Sequence, residues 1–298
     1  MFYILMAFIG ELGFMGLGVL SKRLRNKGVQ TLSVLGLYGV LTPVWALLAA
    51  WFLFQGQTDI GIKYLVVLGA WICVCFILNF GNTWLMRFQS LSDGSSYKFG
   101  FAVLWALIAD LVFFQQEFSP IKVLALVLLF SGGTVLHFSR QKVVVDALRM
   151  PLRKRLAIIM GLSLVEASTY FLFKLGAGMQ VSDLFHNALS QGLLFSIFLV
   201  MGWRSFQADR AAGHVPAIYA VAMLTLMVVA CIASGFAIAG LPLTLVVMFT
   251  LIRMSVFAVH DMKTGEIPVS LKAIMAVILI VCGFTVITVT GQGNGYGG

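Results

Sequence analysis

Residues 2–20 read FYILMAFIGELGFMGLGVL, an apolar run with a single carboxylate, Glu11, near its centre. Residues 156–173, LAIIMGLSLVEASTYFLF, repeat the arrangement around Glu166. About 20 mostly apolar residues make a helix long enough to cross the hydrocarbon of a bilayer. Both segments therefore place a water-seeking group in the middle of a span built for oil.

The rest of the chain belongs in the same medium. Of its 298 residues 60% are hydrophobic and 10% charged, and the mean hydropathy is +1.01. Soluble domains average about 45–50% apolar and about 25% charged residues. Ten apolar runs are expected to span: 2–20, 29–54, 62–86, 95–116, 120–138, 156–175, 184–203, 215–236, 242–260 and 268–289. The runs are continuously apolar rather than alternating with period two, which argues against a transmembrane barrel. The fold class expected is an all-α integral membrane protein of ten transmembrane helices, with the bilayer as its surroundings.

The net charge of +9 does not call for nucleic acid, because the basic residues fall in the loops. Lys22, Arg23, Arg25 and Lys27 follow the first span directly, and Arg140, Lys142, Arg149, Arg153, Lys154 and Arg155 share their side. Lys63, Lys122 and Lys174 fall on the other. The positive-inside rule puts the first group in the cytoplasm and both termini outside. The first run is read as a span, since cationic residues follow it and no small-residue cleavage site does. Cys73, Cys75, Cys231 and Cys282 all lie in spans and are read as small buried hydrophobes. Neither metal nor cofactor is signalled.

The basic stretch SRQKVVVDALRMPLRKR, 139–155, divides the spans five and five. It reads as a linker between a first repeat, 1–138, and a second, 156–290, with a Gly-rich tail at 291–298. In FFQQEFSPIKVLALVLLFSGGTVLHF (113–138) and VHDMKTGEIPVSLKAIMAVILIVCGFTVITV (259–289) an apolar helix ends at a Glu and a Pro follows within three residues. A Gly-x-Thr-Val comes later, at Gly132–Val135 and Gly283–Val286. An odd number of spans per half makes the repeats inverted, a common architecture of secondary transporters with a site near the midplane.

Ten helices in two such halves resemble the EamA family of drug/metabolite transporters. The resemblance covers the whole chain and rests on QQEFSPIK with SGGTVL, and on TGEIPVSLK with CGFTVI. It implies a secondary transporter in the cytoplasmic membrane working on a small-molecule substrate, with a homodimer as a candidate assembly. The related small multidrug resistance proteins carry a first-helix Glu that binds protons and cations in turn, which implies the same for Glu11 and, through the repeat, for Glu166.

Intramembrane charges cost about 2.5–3.5 kcal/mol on insertion scales and usually face a cavity or a partner. A carboxylate at that depth suits exchange of a proton for a cation, although a structural hydrogen bond to a neighbouring helix is the plainer reading. Arg253, deep in the ninth span, keeps its proton and needs a carboxylate or an anionic ligand. It would either pair with Glu166 or Glu11, or hold the acidic group of a zwitterion.

Tyr170 stands one turn beyond Glu166. Trp71, Leu78 and Asn79 form a stripe on the third span, so Tyr170, Trp71 and Asn79 are expected as secondary lining. Gly10, Gly13 and Gly16 are read as permitting close helix approach. Asp110 and Lys174 are expected to snorkel, His186 and Asn187 to sit at the interface, and His260 with Asp261 to face the cytoplasm.

The function expected is transport of a small amine-bearing metabolite by alternating access, not an enzyme activity. A lipid or lipid-linked-sugar flippase on the same scaffold is the alternative. HDMKTGEIPVSL resembles the first aspartate motif of prepilin peptidases, but the partner Gly-x-Gly-Asp is missing from the chain.

Overall fold

The computed structural model describes residues 1–56, 58, 60–85, 91–114, 120–138, 152–180, 182–263 and 269–291. Glu117, the Glu266–Pro268 motif, most of the linker and the tail lie outside the described residues. Its elements are α1 (Phe2–Asn26), α2 (Thr31–Gly39), α3 (Thr42–Phe54), α4 (Ile62–Leu85), α5 (Leu91–Val112), α6 (Pro120–Phe138), α7 (Leu152–Ala177), α8 (Asp183–Ala211), α9 (Ala217–Gly240), α10 (Leu243–Lys263) and α11 (Leu271–Gly291). Among the described residues six helical spans are long and apolar enough to cross a membrane, α2 and α3 together counting as one. The described residues form an all-α protein, and these spans make it a multi-pass membrane protein.

Two expectations about boundaries change, and one about burial. The run 29–54 is two helices, because Pro43 has no N–H to give the carbonyl of Gly39 and its ring crowds that turn. Thr42 Oγ1 donates to the Gly39 carbonyl instead, at 2.7 Å. The last residues assigned to the linker, from Leu152, already belong to α7. Cys73 and Cys282 are exposed, and only Cys75 and Cys231 are buried.

The chain forms two compact units, Met1–Arg87 with Ser168–Leu241, and Phe88–Ala167 with Pro242–Gly298. In unit 1, α1 packs along α9 and α2 with α3 along α8. Apolar surface alone does not drive helices together in lipid, so close backbone approach must. Gly10 faces Ser234, Gly13 faces Ala230 and Gly16 faces Leu226, an antiparallel register in which a methyl group added at Gly13 would lie 2.8 Å from Ala230 Cβ. At the α2–α8 crossing, Gly36 and Gly202 meet backbone to backbone. Ser21 and Tyr38 share a hydrogen bond at 3.1 Å.

Two long helices of this unit, α1 and α8, are followed by a glycine at positive φ, Gly28 at 88° and Gly213 at 75°. In α1 the Gly28 N–H donates to Arg25 and the Val29 N–H to Leu24, and in α8 the N–H groups of Gly213 and His214 donate to Arg210 and Asp209. This pattern covers the last carbonyls and needs a residue without Cβ. Gly28→Ala should therefore lose about 1 kcal/mol, a Tm drop of roughly 2–4 °C. Gly161→Ala, inside α7 with open space around it, should gain up to about 1 kcal/mol from helix propensity. Thermal melts of the two variants in one detergent check the opposite signs.

In unit 2, α5 packs on α10 and on α6, and α11 on α6 and on α10. Asp110, 2% exposed, does not snorkel. Its Oδ1 accepts from the Leu243 N–H at 3.1 Å, and its Oδ2 from the Thr244 N–H at 2.7 Å and from Thr244 Oγ1 at 2.6 Å. It caps the N-terminus of α10 from a neighbouring helix, where orphan donors and the helix dipole both favour a carboxylate. Asp209 does the same for α2 in unit 1, with Oδ2 accepting from the Gln30 N–H at 3.0 Å. Asp261 is 0% exposed, so it is buried rather than facing the cytoplasm.

Candidate functional site

The side chains singled out in the sequence divide between the units. Glu11, Trp71, Asn79 and Tyr170 belong to unit 1, and Glu166 and Arg253 to unit 2. Glu11 and Glu166 are 5% and 2% exposed, each on a helix of span length. Glu11 lies on the buried stripe of α1 with Ala7, Gly10 and Met15. Arg253 and Tyr170 are half-buried. Asn79 is also half-buried, and its Nδ2 donates to the Cys75 carbonyl of its own helix at 2.8 Å, a local bond that competes with any use of the amide as lining.

Trp71 leads to a constellation that the sequence reading did not assemble. The buried face of α4 carries Tyr64, Leu68, Trp71 and Cys75, at helical spacing. Trp71 packs on Phe173 of α7, with ring centroids 5.8 Å apart. Phe173 meets the His186 imidazole of α8 edge to face at 4.5 Å, and His186 meets Tyr64 at 5.7 Å. Tyr64 OH and His186 Nδ1 are hydrogen-bonded at 3.1 Å. His186 and Asn187 are 0% and 2% exposed, so they are enclosed by protein rather than set at the interface.

Two glycines make the enclosure fit. A Cβ at Gly176 of α7 would lie 3.0 Å from His186 Nε2, and one at Gly235 of α9 would lie 2.8 Å from Asn187 Cγ. The Asn187 Nδ2 donates to the Cys231 carbonyl at 2.9 Å. Oδ1 of Asn187 is buried and makes no hydrogen bond, while the His186 imidazole has the Tyr64 hydroxyl and the Phe173 backbone as partners. Buried polar atoms are nearly always satisfied, so the unpaired Asn187 Oδ1 marks this layer. The signals in the sequence were a His-Asn pair opening an apolar run, with glycines at the facing ends of α7 and α9.

Contacts also fix which helix ends lie together. Tyr64 with His186 joins the start of α4 to the start of α8, and Gly176 brings the end of α7 there. Asn187 with Gly235 adds the end of α9, and Gly240 with Tyr3 adds the start of α1. At about 1.5 Å rise per residue, His186 and Tyr64 stand one turn or less inside that end. Trp71 and Glu11, each nine residues into its helix, stand about 13 Å inside it. The rings of Tyr64, His186, Phe173 and Trp71 thus run inward from the end of unit 1 to the depth of Glu11. Lys174, expected to snorkel, donates from Nζ to the Leu241 carbonyl at the close of α9.

An all-α multi-pass membrane protein with buried carboxylates and an enclosed polar layer is the class that fold and site define. Several solved structures have a similar fold, among them a crystal structure that matches with a TM-score of 0.63 over 98% of each chain at 14% sequence identity. No protein-family profile matches the chain, and no curated protein matches its sequence.

Proposed function

We propose that the protein is a secondary transporter of a small amine-bearing metabolite, an amino acid or organic cation, working by alternating access in the cytoplasmic membrane. The observation that carries the reading is the near-complete burial of Glu11 and Glu166 in apolar, span-length helices. Ionisable groups so placed mark substrate or proton pathways by default. Glu11 and Glu166 would bind proton and cation in turn, and Arg253 would hold an acidic group or serve as counter-charge. Cytoplasmic placement of the linker and external termini go with this reading.

Two features support ten spans in inverted repeats. In unit 2 the pairing of α5 with α6 is matched by that of α10 with α11, and α5–α10 and α6–α11 each pair a helix with its counterpart. Asp110 and Asp261, Ala125 and Ala276, and Gly132 and Gly283 are separated by one constant interval of sequence, and all six are buried. The break between α2 and α3 adds a discontinuous helix, a device transporters use near their sites.

The test is thermal stability of the purified protein against amino acids, quaternary ammoniums, polyamines, sugar phosphates and nucleotides at two pH values. A ligand at 100 times its Kd stabilises the native state by about 2.7 kcal/mol. One amine-bearing class should raise Tm in the parent and lose its effect, wholly or in its pH dependence, in Glu11→Gln and Glu166→Gln. If no soluble compound shifts Tm and both variants melt with the parent, the carboxylates are structural and a lipid substrate becomes the better reading.

A further inference from the structure

We propose that Tyr64 and His186 form a gate that closes the interior of unit 1 at the end where α4 and α8 begin. This rests on the transporter reading, because a gate has work only if a solute passes.

Three helices meet at the gate, and each contributes a fitted part. Tyr64 of α4 supplies the hydroxyl bonded to Nδ1, His186 of α8 the imidazole, and α7 both the Phe173 ring against it and the Gly176 backbone that leaves room for it. The closure is one hydrogen bond and a set of ring edges. Such contacts can part without uncovering a large apolar surface.

Next to the gate lies Asn187 Oδ1, buried without a hydrogen bond. In a permanently closed core such an atom is a standing cost. Where the layer opens to water it gains a partner, so the closed state gives up a hydrogen bond that the open state recovers. That opposition keeps two states of a switching element close in free energy. Tyr64 and His186 are positioning residues here, and the carboxylates keep the roles proposed above.

The chain carries its own reporter. Cys231 of α9 is 4% exposed and lies about one turn deeper than Gly235, while its carbonyl holds the Asn187 amide. With Cys73→Ser, Cys75→Ser and Cys282→Ser in place, a small membrane-impermeant thiol reagent reads access to Cys231 from each face of sealed vesicles of opposite orientation. In that background Tyr64→Phe, which keeps the ring, should raise the labelling rate several-fold, and His186→Ala at least ten-fold. Both rises should come only from the face where α4 and α8 begin. Ser196→Ala, whose hydroxyl bonds the Gly192 carbonyl within α8, should label at the parent rate.

Labelling at the parent rate in folded Tyr64→Phe and His186→Ala, or an equal rise from both faces, would overturn the gate. A ligand-induced Tm shift that needs Glu11, alongside unchanged labelling, rejects the gate and leaves transport standing. One-sided labelling in the variants, with no solute altering Tm or labelling of the parent, overturns the gate and the transporter reading together and leaves Tyr64 and His186 as a fixed seal at that end of unit 1.

Discussion

Gly202→Val is expected to cost unit 1 several kcal/mol and to lower Tm by roughly 10 °C, or to leave no monodisperse protein at all. The reason is what the new atoms would meet. A Cβ at Gly202 falls less than 3.0 Å from the Leu32 carbonyl and from the backbone of Gly36, and one at Gly36 would fall as close to Gly202. Overpacking usually costs about 1–3 kcal/mol when side chains can shift aside. Here the obstacle is backbone, so α2 and α8 must separate. Separation also loosens the Leu199 contact with Gly39 and the Asp209 cap on Gln30. Gly202→Ala should lie between parent and Gly202→Val. Size-exclusion profiles and thermal melts check the series, and a valine variant melting within about 2 °C of the parent would show that the crossing is looser than described.

Asp110→Ala should be nearly as damaging in unit 2, by about 2–4 kcal/mol. The substitution leaves the N–H groups of Leu243 and Thr244 and the Thr244 hydroxyl without the oxygen that receives them. Each buried donor abandoned costs about 1–3 kcal/mol, and the hydrogen bonds lost, made to a carboxylate, are stronger than average. The loss is bounded because the end of α10 can recruit water or tighten. Thr244→Val removes one hydroxyl and should cost about 1 kcal/mol. The double variant should cost less than the sum of the two, because both singles remove the same bond. Additive losses in the melts would mean that Asp110 and Thr244 do not act together.

Helix positions were legible in the sequence because bilayer-length apolar runs have few alternatives, and the ends differ from expectation mainly where polar turns extend α1 and α8. The break in the second span had a local signal, Thr42-Pro43, hidden by the apolar residues around it. The glycines of α1 were read correctly as a packing face, since small residues at helical spacing have one common use in lipid. Glu11 and Glu166 stood out for being charged in oil, and both are buried.

What local patterns could not convey was partnership across the chain. Asp110 was visible as an acid in an apolar run, but its role depends on residues 133 and 134 positions away. Tyr64 and His186 are 122 apart, and neither residue alone looks different from an interfacial anchor. On the stripe of the third span the Asn79 amide donates to the Cys75 carbonyl of its own helix, a bond that residue spacing alone does not announce.

The cap on α10 also has a consequence for biogenesis. At about 5–20 residues per second of synthesis, Asp110 leaves the ribosome roughly 7–27 s before the peptide groups that will receive it, 133 residues later. Unit 1 ends at Leu241, so its last helix is made while α10 and α11 are still untranslated. On the ten-span reading proposed above, α5 is for that interval a nascent span with an aspartate that the bilayer tolerates poorly, and a holding factor or delayed lateral release would protect it. A chain stalled after Leu241 would contain every residue of unit 1 and only an orphaned part of unit 2, a natural substrate for membrane quality control.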